Sequence, residues 1–410
     1  MNKKLTLRTI VKHTITVQNI LLLTLSYIIL ACTEQKSSNA DHIIYFDTKE
    51  NVDKYDMKDL TDGTFSIIPL ETTDDCLISK IDKIEIKNDR IYIMDRLAQS
   101  VYVFDMGGKY LNKICNRGQG PGEYTNLSYM TVTDSSVIVI DHLAEKHLEY
   151  SIPSLNYIRG KRLFDKIWTT ELFYLDGTIY YMNNWSNSAA GKFRLFSMKH
   201  NTDNYEKYLP FEEEPMSLGI SGPKYAISGH EASVIYSGDN NIYRIRDGKV
   251  FPEYEVKFKD KKVEYSSGKV ENIFNDNPPG RVIGINSINE SDKYLFIDIA
   301  MTSKDNTPIG PGNYDKYTCF HNKSDHSTVI YPHIMYNSIF YDGHIRCPIK
   351  KIINNKIIYW IDANLLLAVY TKEELSKTVF NHEAYGERLK HVLANLTEED
   401  NPVLYIFGLK

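Results

Sequence analysis

Two stretches of this 410-residue chain repeat one apolar pattern 46 residues apart, and that repeat constrains the fold more than anything else in the sequence. Ile91-Tyr-Ile-Met-Asp95 matches Val137-Ile-Val-Ile-Asp141. A few residues beyond each, Val101-Tyr-Val-Phe-Asp105 matches His147-Leu-Glu-Tyr-Ser151. Each copy reads as short strands, alternating or wholly apolar, broken by turn formers at Asn88-Asp89, Gly107-Gly108 and Asp134-Ser135-Ser136. A period in the forties with about four strands per unit is that of a β-propeller blade. Such a sheet is apolar on both faces and cannot hide them alone, so neighbouring copies must cover it. Weaker copies are expected around Leu172–Met198, Ser233–Phe258, Ile283–His321 and Ser338–Tyr370, the last with strands at Ser338–Tyr341, Ile357–Ile361 and Leu365–Tyr370. From Ile81 to Tyr370 the chain then holds about six units at this period.

A ring of sheets has to close. Thr64–Leu70 reads as a strand ahead of the first unit, and Leu404–Leu409 as one after the last. Between them Lys372–Asn395 has helical composition, stopped by Asn401-Pro402. One terminal strand is expected to complete a blade begun at the other end of the chain, removing the open sheet edges. The expected fold is therefore all-β: a six-bladed propeller with one C-terminal helix before the closing strand. A hydrophobic share of 42% with 25% charged residues excludes a disordered chain and a multi-span membrane protein. The 30 tyrosines lean toward β structure.

The first 31 residues are of another kind. Lys3, Lys4, Arg8 and Lys12 precede an uncharged run, Ile20–Ala31, too short to span a bilayer, and Cys32 follows. A basic start, a short apolar core and a small residue before the cut describe a secretory signal. The Cys directly after Ile29-Leu30-Ala31 resembles the lipobox of bacterial lipoproteins, which implies a lipid on Cys32. The expected plan is a signal peptide over 1–31, the lipidated Cys and a tether over 32–63, and one propeller domain over 64–410. Removing the signal takes away four cations and no acid, so the net charge moves from -5 to -9. Phosphate backbones would be repelled, and nucleic acid is not expected as a partner. Cys76, Cys115, Cys319 and Cys347 form no C-x-x-C pair, which speaks against a zinc or redox motif. The sequence leaves open whether they pair or stay buried thiols.

The run Ile114-Cys-Asn-Arg-Gly-Gln-Gly-Pro-Gly-Glu-Tyr124, followed by Met130-Thr-Val-Thr-Asp134 and Val137–Asp141, resembles NHL-type propeller repeats. More closely, it is similar to the six-bladed β-propeller lipoproteins of Gram-negative gut bacteria. Ile68-Pro69-Leu70-Glu71 and Asn401-Pro402-Val403-Leu404 match that group as well. The resemblance implies a propeller fold and an envelope location, that of an outer-membrane lipoprotein facing the periplasm or the cell surface. It carries over no activity.

No catalytic constellation, metal-ligand spacing or cofactor motif stands out. The glycines of Arg117–Tyr124 lead into a strand, not a helix, so the loop reads as a crossover between blades whose glycines reach φ > 0 rather than a phosphate cradle. Gly310-Pro-Gly-Asn-Tyr314 echoes it. His142 with His147, and His321 with His326, are five apart and do not suggest a shared ion. Asp95 and Asp141 recur at one blade position, which favours capping of the following turn over paired catalysis. If strands run outward from the axis, one face gathers Arg96 and Gln99, then Arg117, Gln119, Glu123 and Tyr124, then His142 and Lys146. With Trp185, in a loop of amides suited to a sugar ring, these are the expected ligand-face residues. Two functions follow. One is an envelope-anchored module binding a glycan, peptide or envelope protein, without catalysis. The other is a carbohydrate- or peptide-processing enzyme with its site at the channel mouth.

Overall fold

A computed structural model describes residues 40–410 apart from 53–54, 164–166, 168, 184–190, 212–222, 237, 264–278, 304–313, 333–334, 337–348, 372, 374, 376 and 377. Among the described residues six small antiparallel sheets succeed one another along the chain. Blade 1 is Lys83–Lys87, Arg90–Asp95, Ser100–Asp105 and Tyr110–Ile114; blade 2 is Tyr129–Val132, Ser136–Asp141, Lys146–Ser151 and Tyr157–Arg162. The two copies of the repeat are thus the second and third strands of consecutive blades. Blades 3, 4 and 5 begin at Glu171–Leu175, Tyr225–Ser228 and Val282–Glu290, each with three further strands in sequence order.

Blade 6 is built from both ends of the domain. Its inner pair, Lys351–Ile353 and Lys356–Ile361, is followed by Val403–Leu409, and the outer strand is Thr61–Pro69. Both expected terminal strands therefore serve in closure, paired with each other in the register Val403 to Pro69 and Phe407 to Phe65.

Six apolar clusters fill the six gaps between neighbouring sheets. Tyr92 and Met94 pack toward blade 2 with Val137 and Val139. Ile91 and Ile93, on the other face of the same strand, pack toward blade 6 with Ile358, Leu404 and Ile406. This alternation explains why the strand is apolar throughout, since both of its faces are core. Each fully buried Ile or Leu here contributes on the order of 1.5–3 kcal/mol.

Two features depart from expectation. Leu365–Tyr370, read as a sixth-blade strand, is a helix, α1 (Ala363–Val369), so among the described residues at least two helices precede the closing strand instead of one. The run is rich in Leu rather than β-branched residues, and Leu366 and Tyr370, four apart, are the buried pair while Leu365 and Val369 face out. The second helix, α2 (Glu383–Asn395), lies within the expected helical stretch and packs Tyr385, Leu389 and Val392 on blades 5 and 6. Inside the stretch read as tether, His42–Phe46 forms a fifth strand on blade 4, parallel to Lys249–Phe258, and buries Ile44 and Phe46 in the gap between blades 4 and 5. From there the chain runs along the outside, donating Val52 N–H to Ile330 of blade 5 before it enters blade 6. Among the described cysteines Cys76 and Cys319 are buried free thiols and Cys115 an exposed one; Cys347 lies outside the described residues.

Asn401 clasps the closure. Buried at the start of the last strand, it accepts from Ile78 N–H (2.7 Å) and donates to the carbonyls of Glu71 (2.7 Å) and Cys76 (2.5 Å). It thereby ties the C-terminal strand to the segment leading into blade 1. Asn401→Ala would take this partner from Ile78 N–H and Cys76 O, both of buried residues, and we expect roughly 2–4 kcal/mol of lost stability in urea unfolding. A loss under about 0.5 kcal/mol would show that the clasp is dispensable.

Candidate functional site

In a four-stranded meander the first-to-second and third-to-fourth turns lie on one face, and the remaining turns and the blade-to-blade crossovers on the other. The described residues among those expected to bind ligand fall on the crossover face, where most of them are engaged in holding the loop. Glu123 accepts from Gly120 N–H (2.8 Å). A Cβ on Gly118 would come 2.0 Å from the Glu123 carboxylate, so a side chain there would push that carboxylate out of its place in the loop. Lys146 donates to the carbonyls of Gln119, Gly120 and Glu123. Tyr124 is a core residue, its hydroxyl donating to Gln99 O (2.7 Å). Arg96 pairs with Asp82 (2.9 Å). Arg117 and Gln119 present exposed side chains. His142 is half-buried beside Tyr129, and burial pushes its imidazole down to about 4, with Asp141 opposing. Trp185 lies outside the described residues, as does Cys32.

Asp95 and Asp141 do equivalent work in consecutive blades. Asp95 accepts from Ala98 N–H in the turn after it and from Ser79 and Lys80 N–H in the incoming crossover. Asp141 does the same with Ala144, Thr125 and Asn126. Both are fully buried structural acceptors.

The axis itself is charged. Each innermost strand has a channel-side edge with no strand partner, so its carbonyls and N–H groups need other partners. Side chains reaching across from nearby blades supply them. Lys83 donates to Met130 O (2.8 Å) and Leu172 O (2.5 Å), Lys224 to Asn286 O, and Lys351 to Tyr225 O (3.3 Å). Glu85 accepts from Val132 N–H (2.9 Å), and Asn289 from Ile352 N–H (3.0 Å). Burial raises the Glu171 carboxyl above its usual range against the pull of Lys83, Lys351 and Lys224, and it lowers Lys224 and Lys351 to about 8. Counted back from the inner turns, Lys83, Glu171 and Lys224 form one level, with Glu85, Thr131, Phe173 and Lys351 a level nearer the turn face.

Above that second level lies a cavity of about 220 Å³, opening on the turn face, opposite the expected ligand loops. Its floor carries Glu85, Thr131, Phe173 and Lys351; Lys87, Asp134, Asp176 and Asn354 stand near its rim. Five of the six blades contribute. Most wall charges are matched: Glu85 with Lys83 (2.9 Å), Asp134 with Lys87 (2.7 Å) and the Tyr174 hydroxyl (2.5 Å), Asp176 with His230 (2.9 Å). Sequence reading missed these residues because they sit in separate blades at no motif spacing. The one available signal was Lys83-Ile-Glu-Ile-Lys87, where charge alternates with Ile along a strand that is otherwise core.

Six sheets in a ring, a filled axis and a recess at one mouth make this a six-bladed β-propeller with a cavity at one end of its axis. The chain belongs to the family described as Domain of unknown function (DUF4934), whose model matches residues 21–408. Among solved structures it is similar to a "Putative exported protein" from Bacteroides fragilis NCTC 9343, at 20% identity and TM-score 0.67 over 90% of this chain and 99% of that one. It is also similar to a member of the duf4221 family from Bacteroides vulgatus, at 10% identity and TM-score 0.49 over 86% and 97%. The first likeness shows the fold alone. No curated protein matches the sequence.

Burial of His142, His147 and His321 predicts acid sensitivity. Burial leads in holding all three down, to about 4, 3 and 4 respectively. Between those values and the ordinary value near 6.5 the unfolded chain binds more protons, so stability falls as pH is lowered through that window, by roughly 1.4 kcal/mol per unit for each histidine. Urea midpoints should drop steadily from pH 6.5 to 4.5, and the His142 ring should titrate near 4 by NMR. A His142 midpoint near 6.5 would place that ring in solvent.

Proposed function

We propose that this protein is an envelope-anchored binding module, a lipoprotein held by acylated Cys32, which captures a small polar ligand in the turn-face cavity without catalysing its conversion. The observation that carries the reading is the cavity itself: a recess walled by five blades, with a charged floor on a rigid scaffold. At about 220 Å³ it is smaller than sites for drug-sized ligands and suits a single sugar ring or the end of a peptide. Binding rather than turnover is supported by the wall carboxylates, which are engaged by cations, a phenol or backbone N–H and so are not poised as an acid–base pair.

The envelope address rests on the basic, apolar and Cys-terminated start of the chain. The printed name of the Bacteroides fragilis neighbour, which calls it exported, agrees with that address. Among the described residues no helix is long and apolar enough to cross a membrane. An outer-membrane location, with the lipid as the membrane contact and a glycan, peptide or envelope protein as ligand, completes the proposal.

Two experiments test it. Cys32→Ala should move the protein from the membrane fraction to the soluble envelope fraction; unchanged fractionation would remove the lipoprotein claim. Ile227→Trp, at the cavity wall, should abolish binding on a glycan and peptide array, while Arg117→Ala on the crossover face leaves it within about twofold. The opposite pattern would move the site to the crossover face.

A further inference from the structure

One charge in the cavity wall is left over. Lys351 lies at the floor, half-buried, and among the described residues no carboxylate comes within ion-pairing distance of it. Its ammonium has a long hydrogen bond to Tyr225 O (3.3 Å) and rests 4.1 Å from the centroid of the Tyr225 ring, which also has Phe173 stacked at 4.6 Å and the Lys83 ammonium at 5.2 Å. The nearby charges do not cancel it. Glu85 is taken by Lys83, and Glu171 lies a level deeper with Lys83 and Lys224 as further cations. A half-buried cation with no carboxylate beside it is costly, and a site of this kind is completed by an anion entering from the mouth.

The rest of the wall limits what that anion is. Asp134 and Asp176 near the rim and Glu85 at the floor would repel a second negative charge, so a phosphate dianion is disfavoured. The same carboxylates, with Thr131 and Asn354, are acceptors or donors for hydroxyl groups, while Ile86, Val132, Ile227 and Ile353 offer apolar contact to ring carbons.

We propose that the cavity binds a hydroxyl-rich monocarboxylate of single-ring size, a hexuronic acid in charge and bulk, with its carboxylate on Lys351 and its hydroxyls on Asp134, Asp176, Glu85 and Asn354. The inference rests on the binding-module reading and narrows it to one ligand class.

Affinity should then depend on pH through Lys351. The groups facing it are Lys83 and Glu85 from blade 1, Glu171 from blade 3 and Tyr225 from blade 4, with Lys87, Asp134 and Asp176 toward the rim. Burial holds the free ammonium at about 8, and a bound carboxylate favours its charged form. Affinity is therefore flat below about pH 8 and falls toward tenfold per unit above it.

Calorimetric titration of the whole chain with D-glucuronate, D-galacturonate, D-glucose and glucose 1-phosphate is the test. We expect at least one uronate to bind tenfold or more tighter than glucose and than the phosphate ester. Lys351→Gln should reduce uronate binding to the glucose level with an unchanged circular dichroism spectrum, and Lys351→Arg should restore most of it. Glucose binding as tightly as both uronates would overturn the ligand class and leave the binding module standing. Tighter binding of glucose 1-phosphate would overturn it in favour of a phosphate site. No heat with any probe, together with array binding that Ile227→Trp does not affect, would remove both the class and the cavity.

Discussion

Every sheet in this molecule is apolar on both faces, so none is satisfied until it has a neighbour on each side, and a row of such sheets is satisfied only as a ring. The ring depends on one antiparallel pairing, Val403–Leu409 against Thr61–Pro69. Without it the outer half of blade 6 disappears, and the clusters that join it to blade 5 on one side and blade 1 on the other each lose a wall. Neighbouring contacts reinforce the same junction. Arg388 of α2 donates to Ile67 O, and the Gly107-Gly108 turn of blade 1 fits so closely beneath Pro69 that a Cβ on Gly108, itself at φ +88, would lie 2.2 Å from the Pro69 carbonyl oxygen. The closing strands are thus gripped by helix, clasp and turn together.

The constraint that makes the ring stable also shapes its centre. Six inner strands bring to one axis edges that no neighbouring strand covers, and their buried polar groups need partners. The chain meets this with long charged side chains from other blades rather than with apolar plugs. Lysines placed to satisfy carbonyls bring like charges together, and carboxylates must be interleaved to offset them. The result is a charge balance that is uneven at Lys224, deep in the channel, and at Lys351, where the cavity opens. On this view the proposed site arises where the sealing of the axis is incomplete, and its chemistry follows from the residues used to seal it.

Much of the fold was legible in the sequence, for an identifiable reason. The strands of blades 1 and 2 are core on both faces, so Ile91–Met94 and Val137–Ile140 repeat without polar interruption and the period shows through. Legibility failed where another constraint took over. Asn364–Tyr370 is as apolar as a strand, but its leucines and the buried i, i+4 pair Leu366 and Tyr370 suit a helix capping blade 6. His42–Phe46 is a strand only because the outer edge of blade 4 is there to receive it, which no local pattern records. The candidate site was least legible of all. The conspicuous Arg117–Tyr124 loop is conspicuous because tight crossovers need glycine, whereas Lys351 gains its significance only from residues that other blades carry to the same level.

The strand His42–Phe46 has a mechanical consequence. It pairs in parallel with the outer strand of blade 4, and its first residue lies at the turn face, where the His42 ring stacks on His326 at 4.7 Å. Tension arriving through the residues ahead of His42 along the strand axis would load the whole ladder in shear, so that its bonds resist together instead of unzipping one at a time. Under the lipid anchoring proposed above, strain would enter the domain at this strand and be spread along blade 4 before it could reach the closing strands on the far side of blade 5.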